Sequence, residues 1–129
     1  MNIKQIMPKS LVTISKDSSI RDAALKMKEN NVSSVLIMDG DKIIGIITER
    51  DITRAVADGK SCSEPAIDLA TKNIIRIDSS KDIYEALDLM SLNKVRHLVV
   101  RECNKDIGVV SMRDVMNTIT LLMAEESSY

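Results

Sequence analysis

Residues 45–51 read GIITERD, and 63 positions later residues 108–114 read GVVSMRD. Both stretches contain a glycine, two aliphatic residues, a hydroxyl residue, two variable positions and an aspartate, in that order. One copy could arise by chance, whereas two copies at a fixed offset indicate a duplicated structural unit with a common physical cause.

The duplication extends through the residues before each motif. A shift of 63 positions places ISKDSSIRDAALKMKENNVSSVLIM, which begins at Ile14, on IDSSKDIYEALDLMSLNKVRHLVVR, which begins at Ile77. Apolar residues recur at i, i+3, i+4 and i+7 in both copies, which predicts one apolar helix face in each half. These positions are Ile20, Ala23, Ala24 and Met27, then Ile83, Ala86, Leu87 and Met90. Acidic and hydroxyl residues just before each face predict the helix starts, at Asp17, Ser18 and Ser19 and at Ser79 and Ser80.

Each half is predicted to contain a strand, a helix, two further strands and a second helix. Aliphatic runs mark the strands, at residues 11–14, 35–37 and 43–47 and at 74–77, 98–100 and 107–110. A polar turn joins the last two strands of each half, DGDK at 39–42 and ECNK at 102–105, and only the first has the glycine expected of a tight hairpin. The second helices are predicted from Thr48 to Gly59 and from Ser111 to about Ala124.

A polar stretch around Gly59 and Pro65 predicts a short linker between the two repeats. We therefore divide the chain into a first repeat at residues 1–59, a linker at 60–66 and a second repeat at 67–129. Neither half is expected to bury both its helices and its sheet alone. The predicted fold class is accordingly α/β (α+β), with two β-α-β-β-α repeats packed with pseudo-twofold symmetry.

The composition is that of a globular protein and narrows the classes of partner. Of 129 residues, 44% are hydrophobic, 29% charged and 2% aromatic, and the net charge is −1. Without aromatic platforms or a basic stripe, nucleic-acid binding is disfavoured. The chain has no apolar stretch of ~20 residues and no secretion signal at its start, which predicts a cytoplasmic protein without a membrane span. Two distant cysteines and a single histidine predict reduced thiols rather than a disulfide or a metal site.

The repeated motif has two compatible interpretations. Thr48 with Asp51, and Ser111 with Asp114, have the spacing of a capping box, in which the hydroxyl and the carboxylate bind backbone N–H groups at a helix start. The same helix start offers N–H groups to a phosphate. A fixed carboxylate there can also accept both hydroxyls of a ribose. One aspartate can do both, so the sequence leaves the two roles open.

The two motifs and their flanks, NNVSSVLIM and NKVRHLVVR, resemble a tandem pair of cystathionine β-synthase (CBS) domains, known as a Bateman module. The resemblance covers the chain from about Ile3 to Met123. It implies a non-catalytic regulatory module that binds AMP, ADP, ATP or S-adenosylmethionine in clefts between the two repeats. No cofactor is expected, and a homodimer and an unidentified regulated protein are the expected partners.

The resemblance also implies a role for each candidate site residue. Asp51 and Asp114 would accept the ribose hydroxyls, and Thr48 and Ser111 would reach the ribose or phosphate. The opening strands would border the adenine through Val12, Thr13, Ile75 and Arg76, and the facing walls would be formed by Val32, Ser33 and Ser34 and by Val95, Arg96 and His97. Each cleft is expected to draw on both halves, so Asp114 is paired with the first-half wall and Asp51 with the second-half wall.

The two clefts are expected to differ in charge. Arg96 and His97 are the best phosphate candidates because Ser33 and Ser34 stand at the matching positions of the first half. Arg50 and Arg113 could assist, although a solvated arginine at a helix start is an equal alternative. His97 could equally be a structural histidine bonded to a backbone carbonyl.

Two other classes of function remain open. The module could be an interaction domain with empty clefts that holds a dimer through its final helix, whose apolar residues are Val115, Met116, Ile119, Leu122 and Met123. An enzyme would need a general base or a metal site, and the sequence contains no recognisable one.

Overall fold

The computed structural model describes residues 1–8 and 11–127, and within them each half contains the predicted strand, helix, two strands and helix. In the first half these are β1 (Thr13–Ser15), α2 (Ile20–Asn30), β2 (Ser34–Asp39), β3 (Lys42–Thr48) and α3 (Glu49–Ala57). In the second half they are β4 (Arg76–Asp78), α4 (Ile83–Asn93), β5 (His97–Glu102), β6 (Lys105–Ser111) and α5 (Met112–Ser127). A short helix α1 (Ile3–Ile6) and a 3₁₀ helix (Ala66–Asp68) precede the two series and were not predicted.

The two halves have the same sheet topology. Each sheet has three strands, in the orders β1-β2-β3 and β4-β5-β6. The first strand of each is parallel to the central strand, and the third is antiparallel to it. Both central pairs also contain a register shift at equivalent positions, after Ile37 and after Val100. The mixed α+β fold predicted from the repeat is therefore confirmed.

The two hairpin turns reverse the chain by different means. Gly40 has a φ of 59° in the first turn, as expected of glycine in a tight hairpin. The second turn has Cys103 at 50° and Asn104 at 63° instead. Asparagine tolerates this left-handed region, whereas cysteine adopts it at a steric cost.

The predicted helix starts are correct in one half and wrong in the other. Ser19 caps α2 in a reciprocal capping box with Asp22. The cap of α4 is Asp82, whose carboxylate accepts the Tyr84 N–H, rather than Ser79 or Ser80. Ser79 is buried, and the hydroxyl of Ser80 instead donates to Asp78, which lowers the pKa of that carboxyl.

Some predicted boundaries also shift. The opening strands begin two residues later than predicted because only three residues of each, Thr13–Ser15 and Arg76–Asp78, pair with the central strand. Helix α5 continues past the predicted end at Ala124 to Ser127. The residues after Ala124 include two glutamates, which favour helix and do not stop it.

The chain forms two compact units, and their residue ranges differ from those of the two sequence repeats. The first unit is Leu11–Ile74, and the second unit consists of the described residues of Met1–Ser10 and Ile75–Tyr129. The segment that opens each half in sequence thus belongs to the unit of the other half. The predicted division at 1–59, 60–66 and 67–129 concerns the order of the repeats along the chain and stays a prediction.

Equivalent hydrogen bonds attach each opening segment to a helix start. In the second unit, Ile3 N–H donates to Lys81 O at 2.9 Å and Ile83 N–H donates to Met1 O at 3.2 Å. In the first unit, the matching bonds are Ala66 N–H to Ser18 O and Ile20 N–H to Glu64 O, both at 2.9 Å. Glu64 and Ala66, which the sequence places in the short linker, therefore lie within the first unit.

The opening segments also supply core residues. Ile3 is fully buried in a cluster with Ile77, Ile83 and Met90, and Ala66 is fully buried with Ile14 and Ala23 in the other unit. Lys4 adds an exposed ion pair to Glu102 at 2.8 Å, and the hydrogen bond to that carboxylate raises the pKa of Lys4. The second unit therefore depends on residues from the opposite end of the chain.

The motif glycines allow each opening segment to lie close to the third strand of its sheet. A Cβ on Gly45 would lie 3.0 Å from Ala70 Cβ and 3.2 Å from Ile67 Cδ1. Next to it, Ile46 and Thr71 exchange two backbone hydrogen bonds of 2.9 Å. A Cβ on Gly108 would meet Met7 Sδ at 3.3 Å. The first position of the repeated motif is thus explained by close packing.

We expect Gly45→Ala to destabilise the protein more than Gly108→Ala. The added methyl at residue 45 meets a backbone-fixed Cβ, an overpacking that costs about 1–3 kcal/mol. At residue 108 it meets the end of a flexible methionine, which can move at a smaller cost. Urea unfolding of both variants would test this, and a larger loss for Gly108→Ala would contradict it.

Ile3→Ala is expected to lower the free energy of unfolding by about 2–5 kcal/mol, because it removes a fully buried side chain from the core of the second unit. Leu11→Ala is the control, since Leu11 is 38% exposed and its truncation should cost far less. Equal effects in thermal unfolding would show that the opening segment contributes little to the core.

Candidate functional site

The end of β3 and the start of α3 form a reciprocal capping box. Asp51 Oδ2 accepts the Thr48 N–H at 2.9 Å and the Thr48 hydroxyl at 3.0 Å. The Asp51 N–H in turn donates to Thr48 Oγ1 at 3.3 Å. Both residues are half-buried. The capping interpretation of the first motif is therefore confirmed.

The second motif repeats this geometry between β6 and α5. Ser111 N–H donates to Asp114 Oδ2 at 2.8 Å, and Asp114 N–H donates to Ser111 Oγ at 3.1 Å. Ser111 is 8% exposed and Asp114 is half-buried. In both motifs the cap occupies only Oδ2, and no described residue donates a hydrogen bond to Oδ1. Each aspartate thus retains one carboxylate oxygen with acceptor capacity.

The helix starts offer fewer N–H groups to an anion than the sequence suggested. Glu49 N–H donates to Ser33 O at 3.0 Å, and Met112 N–H donates to Arg96 O at 2.8 Å. The hydroxyls of Thr48 and Ser111 take a second N–H in each first turn. Because these donors are already bonded, the carboxylates are the better candidates for ligand contact at these junctions.

Within the first unit, the structure brings the predicted residues to one end of the sheet. Ser34 is the register partner of Thr48, and Ser33 bonds the first residue of α3. Val12 O accepts the Leu36 N–H at 3.0 Å, which places the start of β1 beside the start of β2. The residues gathered at this end are Val12, Thr13, Val32, Ser33, Ser34, Thr48, Arg50 and Asp51.

The second unit has the same arrangement with more basic side chains. His97 is the register partner of Ser111, and Ile75 O accepts the Val99 N–H at 3.0 Å. Arg96 is exposed and His97 is half-buried. The corresponding set is Ile75, Arg76, Val95, Arg96, His97, Ser111, Arg113 and Asp114, while the predicted pairing of each aspartate with the opposite half stays a prediction.

Arg76 has a partner that the sequence analysis missed. Its Nε lies 3.0 Å from Asp106 Oδ1 and its Nη2 lies 3.2 Å from Asp106 Oδ2. Arg101 Nε approaches the same carboxylate at 3.4 Å. The available signal was a break in the repeat, since Asp106 stands where the first half has Ile43. Strand register is needed to turn that break into a contact.

Three further observations concern the arginines of the motifs, metal binding and the membrane. Arg50 and Arg113 are both exposed at the helix starts. Within residues 1–8 and 11–127, no group of three or more His, Cys, Asp or Glu side chains is placed to hold a metal ion. None of the helices in that part of the chain has both the length and the apolar composition to cross a bilayer.

The final helix exposes less apolar surface than the sequence suggested. Val115 is fully buried, and Ile119 and Leu122 pack against the core of the second unit. Met116 and Met123 are exposed, at 46% and 64%. Of the five residues predicted for a dimer contact, three therefore face the core of their own unit.

The comparison with known proteins agrees with the internal repeat. The CBS domain family model matches residues 3–58 and again residues 66–120. A 17.7 kDa protein of Acidianus ambivalens is 32% identical over 119 residues, which span 91% of this chain and 72% of that protein. An inosine-5′-monophosphate dehydrogenase of Methanocaldococcus jannaschii is 31% identical over 114 residues, but these span only 22% of the enzyme.

Among solved structures, a CBS domain protein from Pyrobaculum aerophilum, complexed with AMP, is similar with a TM-score of 0.81. It is 25% identical, and the match covers 97% of this chain and 99% of that one. The duplicated motif, the two equivalent sheets and the two family matches agree. The chain belongs to the CBS domain family and carries two CBS domains in tandem.

Proposed function

We propose that this CBS-domain pair is a non-catalytic regulatory module that binds adenosine-containing ligands, with AMP, ADP, ATP and S-adenosylmethionine as the candidate class. The observation that carries the proposal is the duplicated aspartate. At both strand-to-helix junctions the cap fixes one carboxylate oxygen and leaves Oδ1 without a donor among the described residues. A rigid acceptor at this position suits the hydroxyls of a ribose.

The energetics of such a contact are adequate for a metabolite sensor. A hydrogen bond to a charged acceptor contributes about 1.5–3 kcal/mol. Two such bonds from a ribose would supply a substantial share of the roughly 8 kcal/mol that corresponds to micromolar affinity. The carboxylate is already fixed by its cap, so binding would cost little additional side-chain entropy.

The ligand is proposed to lie in clefts that draw on both repeats, as the family resemblance implies. The AMP complex of the Pyrobaculum aerophilum relative supports an adenine nucleotide. Arg96 and His97, whose matching positions in the first repeat are Ser33 and Ser34, support a phosphorylated ligand for the site they serve. A homodimer and a regulated protein partner are part of the proposal.

The second candidate function is an interaction module that dimerises with empty sites. The exposed Met116 and Met123 on α5 favour it, because they offer apolar surface that the core does not use. Calorimetric titration with AMP, ATP and S-adenosylmethionine separates the two functions, since an interaction module would bind none of them. The enzyme alternative receives no support from the dehydrogenase relative, whose match is restricted to 22% of its length.

Asp114→Ala is expected to weaken binding of the adenosine ligand at its site by roughly tenfold or more, through the loss of one or two charge-assisted hydrogen bonds. It should lower the free energy of unfolding by at most ~1 kcal/mol, the size of a lost helix-start interaction. Calorimetry and urea unfolding of the same variant would measure both quantities.

Asp114→Asn provides the matched comparison. The amide oxygen can still accept the Ser111 N–H and preserve the cap, while the amide nitrogen replaces the free acceptor. Weak binding in both variants with near-normal stability in the asparagine variant would support ribose contact. Unchanged affinity with a large loss of stability in the alanine variant would mean that Asp114 is only a cap.

A further inference from the structure

Three of the positions at which the second unit departs from the internal repeat are brought into one contact by the structure. Arg76, Arg101 and Asp106 stand where the first half has Thr13, Met38 and Ile43. Neighbouring strand positions are aliphatic in both halves, as at Leu36 and Val99. The three differences lie in contact with one another and form one ion cluster. They give the second sheet charged side chains that the first sheet lacks at these positions.

The cluster spans the whole width of the second sheet. Strands β4 and β6 both pair with β5 and not with each other, so the Arg76 side chain crosses the central strand to reach Asp106. Its register partner on that strand is Val99, which is 1% exposed. The aspartate side chain is 18% exposed and the Arg76 side chain 31%. Such a two-point pairing fixes the orientation of the guanidinium, unlike an ordinary exposed ion pair.

The direction of this crossing matters for the site. Arg101 and Asp106 are register partners near the hairpin turn, whereas His97 and Ser111 are partners at the junction end of the same two strands. Arg76 lies between these levels, at Val99. Asp106 therefore draws the guanidinium toward the hairpin and away from the junction. What remains nearest the junction is the methylene stem, which behaves as an apolar surface.

We propose that Asp106 is a positioning residue for the ligand site that Arg76 borders. By holding the Arg76 guanidinium at the hairpin end, it withdraws a positive charge from the wall predicted to border the adenine. The wall then presents the Arg76 stem to an uncharged ring, and the exposed Arg96 stays a candidate for contact with a phosphate. This inference rests on the proposed function. It identifies Asp106 as the residue that sets the preference for charged or uncharged ligands in one of the two proposed sites.

Asp106→Asn removes the charge with little change in shape. The released guanidinium would become available to anions, so binding of inorganic phosphate should become about tenfold tighter, the size of one new charge-assisted hydrogen bond. The affinity ratio of AMP to adenosine should shift toward AMP by a similar factor. Asp88→Asn, the same change on the exposed face of α4, should alter neither quantity.

Calorimetry with inorganic phosphate, AMP and adenosine would measure these affinities, and ¹⁵N NMR of the arginine side chains would follow the Nε–H of Arg76. In the double variant Arg76→Thr with Asp106→Asn, the gain in phosphate binding should disappear, because the released group is absent. If Asp106→Asn alone does not fold, Arg76→Lys offers the comparison, since lysine keeps the charge without the two-point pairing.

Unchanged phosphate affinity and an unchanged AMP-to-adenosine ratio in a folded Asp106→Asn variant would overturn the inference. If this variant is less stable but its ligand affinities are unchanged, the ion cluster only stabilises the sheet. If the wild-type protein binds none of adenosine, AMP, ADP, ATP and S-adenosylmethionine, the proposed function fails. The phosphate titration and the Arg76 Nε–H signal still decide in that case whether Asp106 masks the guanidinium.

Discussion

Each unit of this protein is completed by hydrogen bonds between a helix start and an opening segment that comes from the other half of the chain. The bonds from Ile3 to Lys81 and from Ala66 to Ser18 are equivalent under the internal repeat. Beside these bonds, a side chain of the opening segment lies in the core, and the segment runs against the third strand at a glycine. The glycine that begins each repeated motif is therefore explained by close packing, which is tighter at Gly45 than at Gly108, and not by a positive φ.

The end of the same motif has a different physical basis. Thr48 with Asp51 and Ser111 with Asp114 satisfy backbone donors at a helix start, and this alone would explain the residue types. The caps use Oδ2 of each aspartate. The proposed function depends on the other oxygen, Oδ1, whose orientation is fixed at each junction. A structural role and the proposed binding role can share one side chain, because a carboxylate has two oxygens and the cap uses one.

The two units are alike in backbone and unlike in charge. Their strands pair in the same order, with register shifts at equivalent positions. The second unit nevertheless carries Arg76, Arg101 and Asp106 on its sheet, where the first unit has uncharged residues. The two proposed sites therefore differ in charge although the two folds are alike, since strand pairing depends on the backbone and charge depends on a few side chains.

The sequence by itself determined the repeat, the order of strands and helices, the apolar helix faces and the capping residues at both motifs. These features are local, because spacing along one element is enough to reveal a buried face or a cap. The helix start at Asp82 escaped this reasoning, since Ser79 and Ser80 were equally good candidates by residue type. Only the tertiary structure decided which segment completes which unit, why the motif begins with glycine, and that Arg76 pairs with Asp106. Those contacts join residues far apart in the chain, and their geometry follows from strand register and packing rather than from local residue type.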